Sequence, residues 1–260
     1  MSATDTDKPD ILTKDLAIGY SGKAIMSGIE LGIRQGEIFF IMGGSGSGKS
    51  TLLKTLIGLI PPVSGSIFYG EREFLEDDPA MSAAILRNTG VLYQGGALFS
   101  AMTLRENVAL PLRIHTKLPE ADILALAEYK LGLVELENAL DKYPHEISGG
   151  MMKRAGLARA LALDPRILFF DEPSAGLDPL TSRQLDETIL ELNRSLGTTT
   201  VIVSHELESI FTLAHRAVFL DARTRRQMEV GDPREMKLTS THEEIRDFLN
   251  RRKPGGSTAS

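Results

Sequence analysis

The chain has 260 residues, a formal net charge of -6, 42% hydrophobic and 25% charged residues, and no cysteine. This is the composition of a globular domain with a sizeable core, and it excludes disulfides and thiolate metal sites. The acidic total argues against nucleic acid as a main partner, because such binders usually carry a basic face.

The first ten residues read as a flexible tail, and residues 1–9 lack the apolar stretch of a leader peptide. No apolar run approaches the ~18 residues of a membrane span, so work at a membrane would need spans from another chain. Residues 11–18 alternate like a strand and Tyr20-Ser21-Gly22 turns it; residues 29–33 read as a second strand, with a turn at Gln35-Gly36. An apolar strand over 37–42 runs into glycine and then into a helix over 49–60, which Pro61-Pro62 stops. A strand follows over 66–69. Helices are expected over 103–114, 120–131 and 149–163, so residues 95–162 read as a helical lobe inserted in an α/β core. The alternation then returns: strand 167–170, helix 180–196, strand 199–203, helix 206–213, and strands 217–220 and 226–230. A last helix is expected over 241–252, with Thr241 as N-cap and Glu244 three residues on. Residues 253–260, rich in Gly and Ser, read as a disordered tail. Strands alternating with helices imply a mainly parallel sheet covered by helices.

Gly43-Gly44-Ser45-Gly46-Ser47-Gly48-Lys49-Ser50 matches the phosphate-loop pattern G-x-x-x-x-G-K-[ST], with Thr51 following inside the helix. The glycines let successive backbone N–H groups turn inward toward phosphate oxygens, and the helix N-terminus adds positive potential. Lys49 suits the β- and γ-phosphates, and the Ser50 hydroxyl suits Mg²⁺. No Asn/Thr-Lys-x-Asp motif is present to read guanine; Thr13-Lys14-Asp15 has the wrong spacing and precedes the loop.

Two carboxylates, Asp171 and Glu172, close the apolar run 167–170. Downstream of a phosphate loop they suit Mg²⁺ binding, through water, and polarisation of an attacking water respectively. Ser148-Gly149-Gly150 opens a helix with a hydroxyl and two small amides. On residue types alone this is either an ordinary helix start or a surface prepared for an anion.

With Ile147 to Arg154 in view, the chain resembles the ABC ATPase family along nearly its whole length. The resemblance implies a phosphate-loop NTPase fold over 11–252 with a parallel core sheet, an antiparallel β subdomain and the inserted helical lobe. It implies that ATP and Mg²⁺ are bound, and that Ser148, Gly149 and Gly150 cap the γ-phosphate held by a second copy of the chain. Tyr20 takes the place of the aromatic that stacks on adenine. Gln94 takes that of the glutamine that senses Mg²⁺ and the attacking water. Ser174-Ala175-Gly176-Leu177-Asp178-Pro179 resembles the loop that crosses the dimer interface, and His205 the histidine that contacts the γ-phosphate and orients water. Catalysis would thus fall to Glu172, His205, Gln94 and Lys49. The family's usual final signature glutamine is Met151, which cannot donate a hydrogen bond.

Residues 94–99 (Gln-Gly-Gly-Ala-Leu-Phe), 107–113 (Asn-Val-Ala-Leu-Pro-Leu-Arg), His115-Thr116, Leu118-Pro119 and Ser148-Gly149-Gly150-Met151 resemble the Mla-type branch of that family. That resemblance implies a homodimeric motor on the cytoplasmic face of the inner membrane, energising phospholipid movement between inner and outer membranes. Its implied partners are an integral membrane permease (MlaE-like), an MCE-domain subunit (MlaD-like) and, in some systems, a STAS-domain subunit (MlaB-like). An importer for another solute and a soluble non-transport ATPase are the alternatives. Arg246, Arg251, Arg252 and Lys253 form a basic end, read as a solvated helix end or as a contact with another subunit or with lipid headgroups.

Overall fold

The structure, a computed structural model, describes residues 9–74 and 78–251. The expected tails over 1–8 and 253–260 lie outside the described residues, as do Arg252 and Lys253. In chain order the strands and helices are β1 (Pro9–Tyr20), β2 (Lys23–Ile29), β3 (Gly32–Arg34), β4 (Ile38–Gly43), α1 (Lys49–Leu56), β5 (Ser64–Tyr69), β6 (Arg72–Glu73), α2 (Pro79–Leu86), β7 (Thr89–Leu92), α3 (Leu104–His115), α4 (Glu120–Gly132), α5 (Gly149–Ala160), β8 (Ile167–Asp171), α6 (Pro179–Leu196), β9 (Thr199–Val203), α7 (Leu207–Leu213), β10 (Arg216–Asp221), β11 (Arg226–Gly231), α8 (Pro233–Thr239) and α9 (Glu243–Leu249).

They form two compact units. Among the described residues, the first contains residues 9–73 and 202–251. In it β1 pairs antiparallel with β2, β3 and β5, and β5 with β6. Beside this antiparallel sheet, β10 pairs parallel with β4 from Arg216↔Phe39 to Leu220↔Gly43 and antiparallel with β11. Every residue of β4 is buried, which is why it reads as an unbroken apolar run and not as an alternation. The second unit, residues 74–201, holds β7 and β8 in parallel register, with α2 to α6. It is wider than the lobe expected over 95–162. The chain returns to the first unit within β9.

Several boundaries differ from expectation. The first strand starts at Pro9, so residues 9 and 10 leave the expected tail; Asp10 is 3% exposed and its carbonyl accepts the Gly70 N–H. The strand expected over 29–33 is β3, shorter and shifted to Gly32–Arg34, while β2, Lys23–Ile29, was not expected and meets that range only at Ile29. The turn joining β1 to β2 takes positive φ at both central residues, Ser21 (50°) and Gly22 (74°), a geometry that suits a twisted hairpin. Helix α1 ends at Leu56, short of Pro61. Gly58 takes φ 72° and the Leu59 N–H reaches back to the Lys54 carbonyl, so a left-handed glycine closes the helix before the prolines matter. The last helix starts at Glu243 behind His242, not at a Thr241 cap; the Ser240 hydroxyl takes the His242 N–H instead. Two helices, α2 and α8, were not expected. Asp232 capping the Arg234 N–H with Pro233 at the first turn was a legible signal for α8.

In the second unit, α3 begins with a reciprocal capping box between Thr103 and Glu106. The side chain of Asn107, wholly buried, ties this helix to the segment before it. Its Oδ1 accepts the Phe99 N–H at 2.7 Å, and its Nδ2 faces the carbonyls of Phe99, Met102 and Thr103 at 3.1, 3.1 and 2.9 Å.

Candidate functional site

In the first unit, buried strand β4 delivers the chain to Gly43, and the loop 43–48 delivers it to the N-terminus of α1 at Lys49. No acidic residue sits in the first turn of α1, so nothing there opposes an anion. The Lys49 ammonium donates to the carbonyls of Gly43 and Gly44, at 2.9 Å each. Those contacts hold it over the loop, at the position a phosphate oxygen would share. Tyr20, 51% exposed, places its hydroxyl 3.3 Å from that of Thr51 and leaves its ring open to a stacking partner. His205 follows β9 and is more than half exposed, with Nε2 3.8 Å from a Glu206 carboxylate oxygen.

In the second unit, β8 ends at Asp171, and Glu172 follows with φ 48°. A left-handed glutamate carries strain of about 1–3 kcal/mol, which surrounding structure must hold in place. Lys153, only 6% exposed, supplies part of that hold: its ammonium donates to the Gln94 carbonyl and lies 3.4 Å from the Glu172 carbonyl. Burial pushes the Lys153 ammonium below the ordinary lysine range, while the charges of Glu172 and Asp171 oppose that shift. Gln94 itself is exposed, two residues after the end of β7.

Ser148 caps α5, accepting the Met151 N–H at 3.3 Å. It and Gly149 are exposed. Gly150 is buried, and a Cβ there would lie 2.3 Å from the Thr181 methyl, so a larger residue would have to displace the Thr181 side chain. The Thr181 hydroxyl donates to Asp178 at 2.6 Å, and Asp178 caps α6. These hydrogen bonds, from the Thr181 hydroxyl first and then its N–H, hold the exposed Asp178 carboxyl below the usual carboxylate range.

The expected site residues therefore fall into two groups. Tyr20, residues 43–51 and His205 belong to the first unit. Gln94, Asp171, Glu172, Ser148, Gly149, Gly150 and Asp178 belong to the second, where Lys153 joins Gln94 to Glu172 and Thr181 joins Gly150 to Asp178. Sequence reading assigned no role to Lys153, Thr181 or Asn107. Nothing in the sequence marks Lys153, which lies on an otherwise small and apolar buried face of α5. The second unit also contains a cleft of ≈ 320 Å³ whose lining includes Leu86, Arg87, Pro111, His115 and Arg159.

A fully buried parallel strand, a glycine-rich loop, a lysine and a helix, in that order, define a phosphate-loop nucleoside triphosphatase. The model of the ABC transporter family matches residues 26–175, more than half of the chain, and the chain belongs to that family as an ATPase. It is 41% identical over 245 residues to a probable ribonucleotide transport ATP-binding protein, Mkl, of Mycobacterium leprae, covering 94% of this chain and 70% of that one. Against the Mycobacterium tuberculosis counterpart it spans 66% of the relative's length. It is also 41% identical over 211 residues to the intermembrane phospholipid transport system ATP-binding protein MlaF of Escherichia coli, covering 80% of this chain and 77% of that one. Among solved structures, the dimeric ATP-binding cassette MJ0796 bound to ADP and Pi matches with TM-score 0.77 and 28% identity, covering 85% of this chain and 98% of that one. CbiO1 of Clostridium perfringens, part of the transporter complex CbiONQ, matches with TM-score 0.80 and 28% identity, covering 95% and 97%.

Proposed function

We propose that this chain is the motor subunit of an Mla-type transporter that moves phospholipid between inner and outer membranes. The likeness to the phospholipid transport protein of E. coli, 41% identity over 80% of this chain, carries the proposal. The Ser-Gly-Gly-Met signature and the residues after Gln94 support it. No helix among the described residues is long and apolar enough to cross a membrane. In this reading the chain works at the cytoplasmic face of the inner membrane with a permease (MlaE-like), an MCE-domain subunit (MlaD-like) and, in some systems, a STAS-domain subunit (MlaB-like). The cleft beside Pro111 and His115 is the surface proposed to receive the permease.

Each residue takes a role suited to its chemistry. Tyr20 stacks on adenine. The amides of residues 43–48 and the Lys49 ammonium grip the β- and γ-phosphates, with Thr51 beside them. Ser50, Gln94 and Asp171 would hold Mg²⁺, which would supply positive charge to neutralise the phosphate oxygens. Glu172 takes a proton from water as the water oxygen attacks the γ-phosphorus and the bond to the β-phosphate oxygen breaks; His205 orients that water. Ser148, Gly149 and Gly150 of a second copy close over the γ-phosphate, with Asp178 at the interface. Hydrolysis removes the bridge and lets the homodimer part.

Met151 leaves the Ser148 hydroxyl and the glycine amides to bind phosphate. Met151→Gln is expected to keep the ATPase rate within about an order of magnitude, since it adds a donor without removing one. A steady-state assay that finds complete loss would give Met151 a specific role.

The mycobacterial relatives favour a second reading, the same motor serving a nucleotide transporter. Purification of the chain with its partners from detergent-solubilised membranes separates the two. An MCE-domain partner and copurifying phospholipid support the first. A solute-binding protein in their place would replace it with the second, and ribosomes would remove both.

A further inference from the structure

Side chains from two helices grip the segment from Gln94 to Phe99. From α5, the Lys153 ammonium donates to the Gln94 carbonyl, and Arg159 donates from Nη1 to Ala97 at 2.6 Å and from Nη2 to Gly96 at 3.2 Å. From α3, Asn107 holds both backbone groups of Phe99. Packing reinforces the α5 contacts: a Cβ on Gly156 would lie 3.0 Å from the Gly96 carbonyl oxygen and 2.7 Å from Leu92 Cδ1, so helix and segment meet backbone to backbone. Arg159 also lines the cleft proposed to receive the permease.

Among the described residues, neither cation forms an ion pair. Lys153 is almost wholly buried, which is rare for lysine, and among the described residues its ammonium is hydrogen-bonded to the backbone carbonyls of Gln94 and Glu172. An ammonium that donates to both keeps the glutamate's strained backbone and the glutamine's carbonyl at a fixed separation. The helix that supplies it begins with Ser148, the cap offered to the second copy. Movement of α5 therefore moves Gln94, and through Arg159 the wall of the cleft.

The geometry points to Lys153 as a positioning residue for ATP hydrolysis, a two-ended latch that, with Arg159, carries Gln94 and Glu172 on the helix that caps the partner's nucleotide. The inference depends on the proposed roles of Gln94 and Glu172. Its effect belongs in kcat rather than in nucleotide affinity, because the carbonyls it grips belong to Gln94 and Glu172, while the phosphate loop, residues 43–51, is built by the other unit.

The test uses the full-length chain in its purified transporter. Lys153→Met keeps the length of the side chain and removes its donors. A displaced base and glutamine are expected to lower kcat about 10- to 100-fold, with KM for ATP and trinitrophenyl-ATP affinity within about threefold of the parent. Lys153→Arg, which restores donors, is expected to recover most of the loss. A folded Lys153→Met enzyme with parental kcat overturns the latch, as does a loss of affinity in proportion to the loss of rate. Should Lys153→Met not fold, Arg159→Met carries the test: the latch requires a kcat loss of at least about threefold at unchanged affinity, and a parental kcat overturns it. Glu172→Gln is run in parallel. If it still hydrolyses ATP, the reading of the site itself fails; if it is inactive while the latch variants are parental, only the latch fails.

Discussion

Glu172→Gln is expected to lower steady-state ATP hydrolysis by about 10²–10⁴-fold, the usual contribution of a positioned general base. The amide has the same shape and carries no basic oxygen, so the strained φ of 48° at this position is kept. ATP binding should survive, because the phosphate loop and Lys49 lie in the other compact unit. With ATP bound and not consumed, closed dimers should accumulate. Size-exclusion chromatography in ATP and Mg²⁺ reads that directly, beside a phosphate-release assay. Normal turnover would remove Glu172 from the proposed role. Absence of a dimer in the inactive variant would instead remove the closure on the γ-phosphate.

Asn107→Leu is the second large effect, and it falls on stability. Leucine keeps the branched shape of asparagine, with bulkier methyl ends, but leaves the Phe99 N–H and the carbonyls of Phe99, Met102 and Thr103 without the side chain they face. Stranded buried polar groups of this kind are expected to cost about 3 kcal/mol in total. For a domain of this size that is a fall in Tm of about 6–12 °C, measurable by differential scanning fluorimetry. An unchanged Tm would mean that those backbone groups find other partners once the amide is gone. Asn107→Asp tests the same site differently: it keeps the acceptor for Phe99 N–H and sets a carboxylate against three carbonyls.

The parts of the fold that were legible in sequence are those whose burial is simple. Strand β4 and strand β8 read as short apolar runs because parallel strands inside an α/β unit are covered on both faces. The phosphate loop was legible because its chemistry demands a fixed spacing, and the acid pair because it ends such a run. Strand β2 was missed because four of its seven residues are exposed and its pairing is set by a turn, Ser21-Gly22, and not by its own pattern. The end of α1 was misread because two prolines outweighed a nearer glycine. The latch was invisible for a different reason. A lysine in a motif next to an arginine reads as solvated, and only the packing of α5 against the Gly96 segment reveals that its ammonium points into the unit.

Thr181 gives the second unit one more property. Its methyl fills the space over Gly150 while its hydroxyl holds Asp178, so the two surfaces proposed to meet a second copy are already fixed on one another before that copy arrives. Such an encounter orients rigid surfaces and does not have to order loops, which keeps the entropic cost of association low. Affinity differences between nucleotide states should then lie in how long the pair lasts rather than in how fast it forms. On that view the cassette is a timer: the γ-phosphate sets it running, and the hydrolysis rate at Glu172 fixes its period.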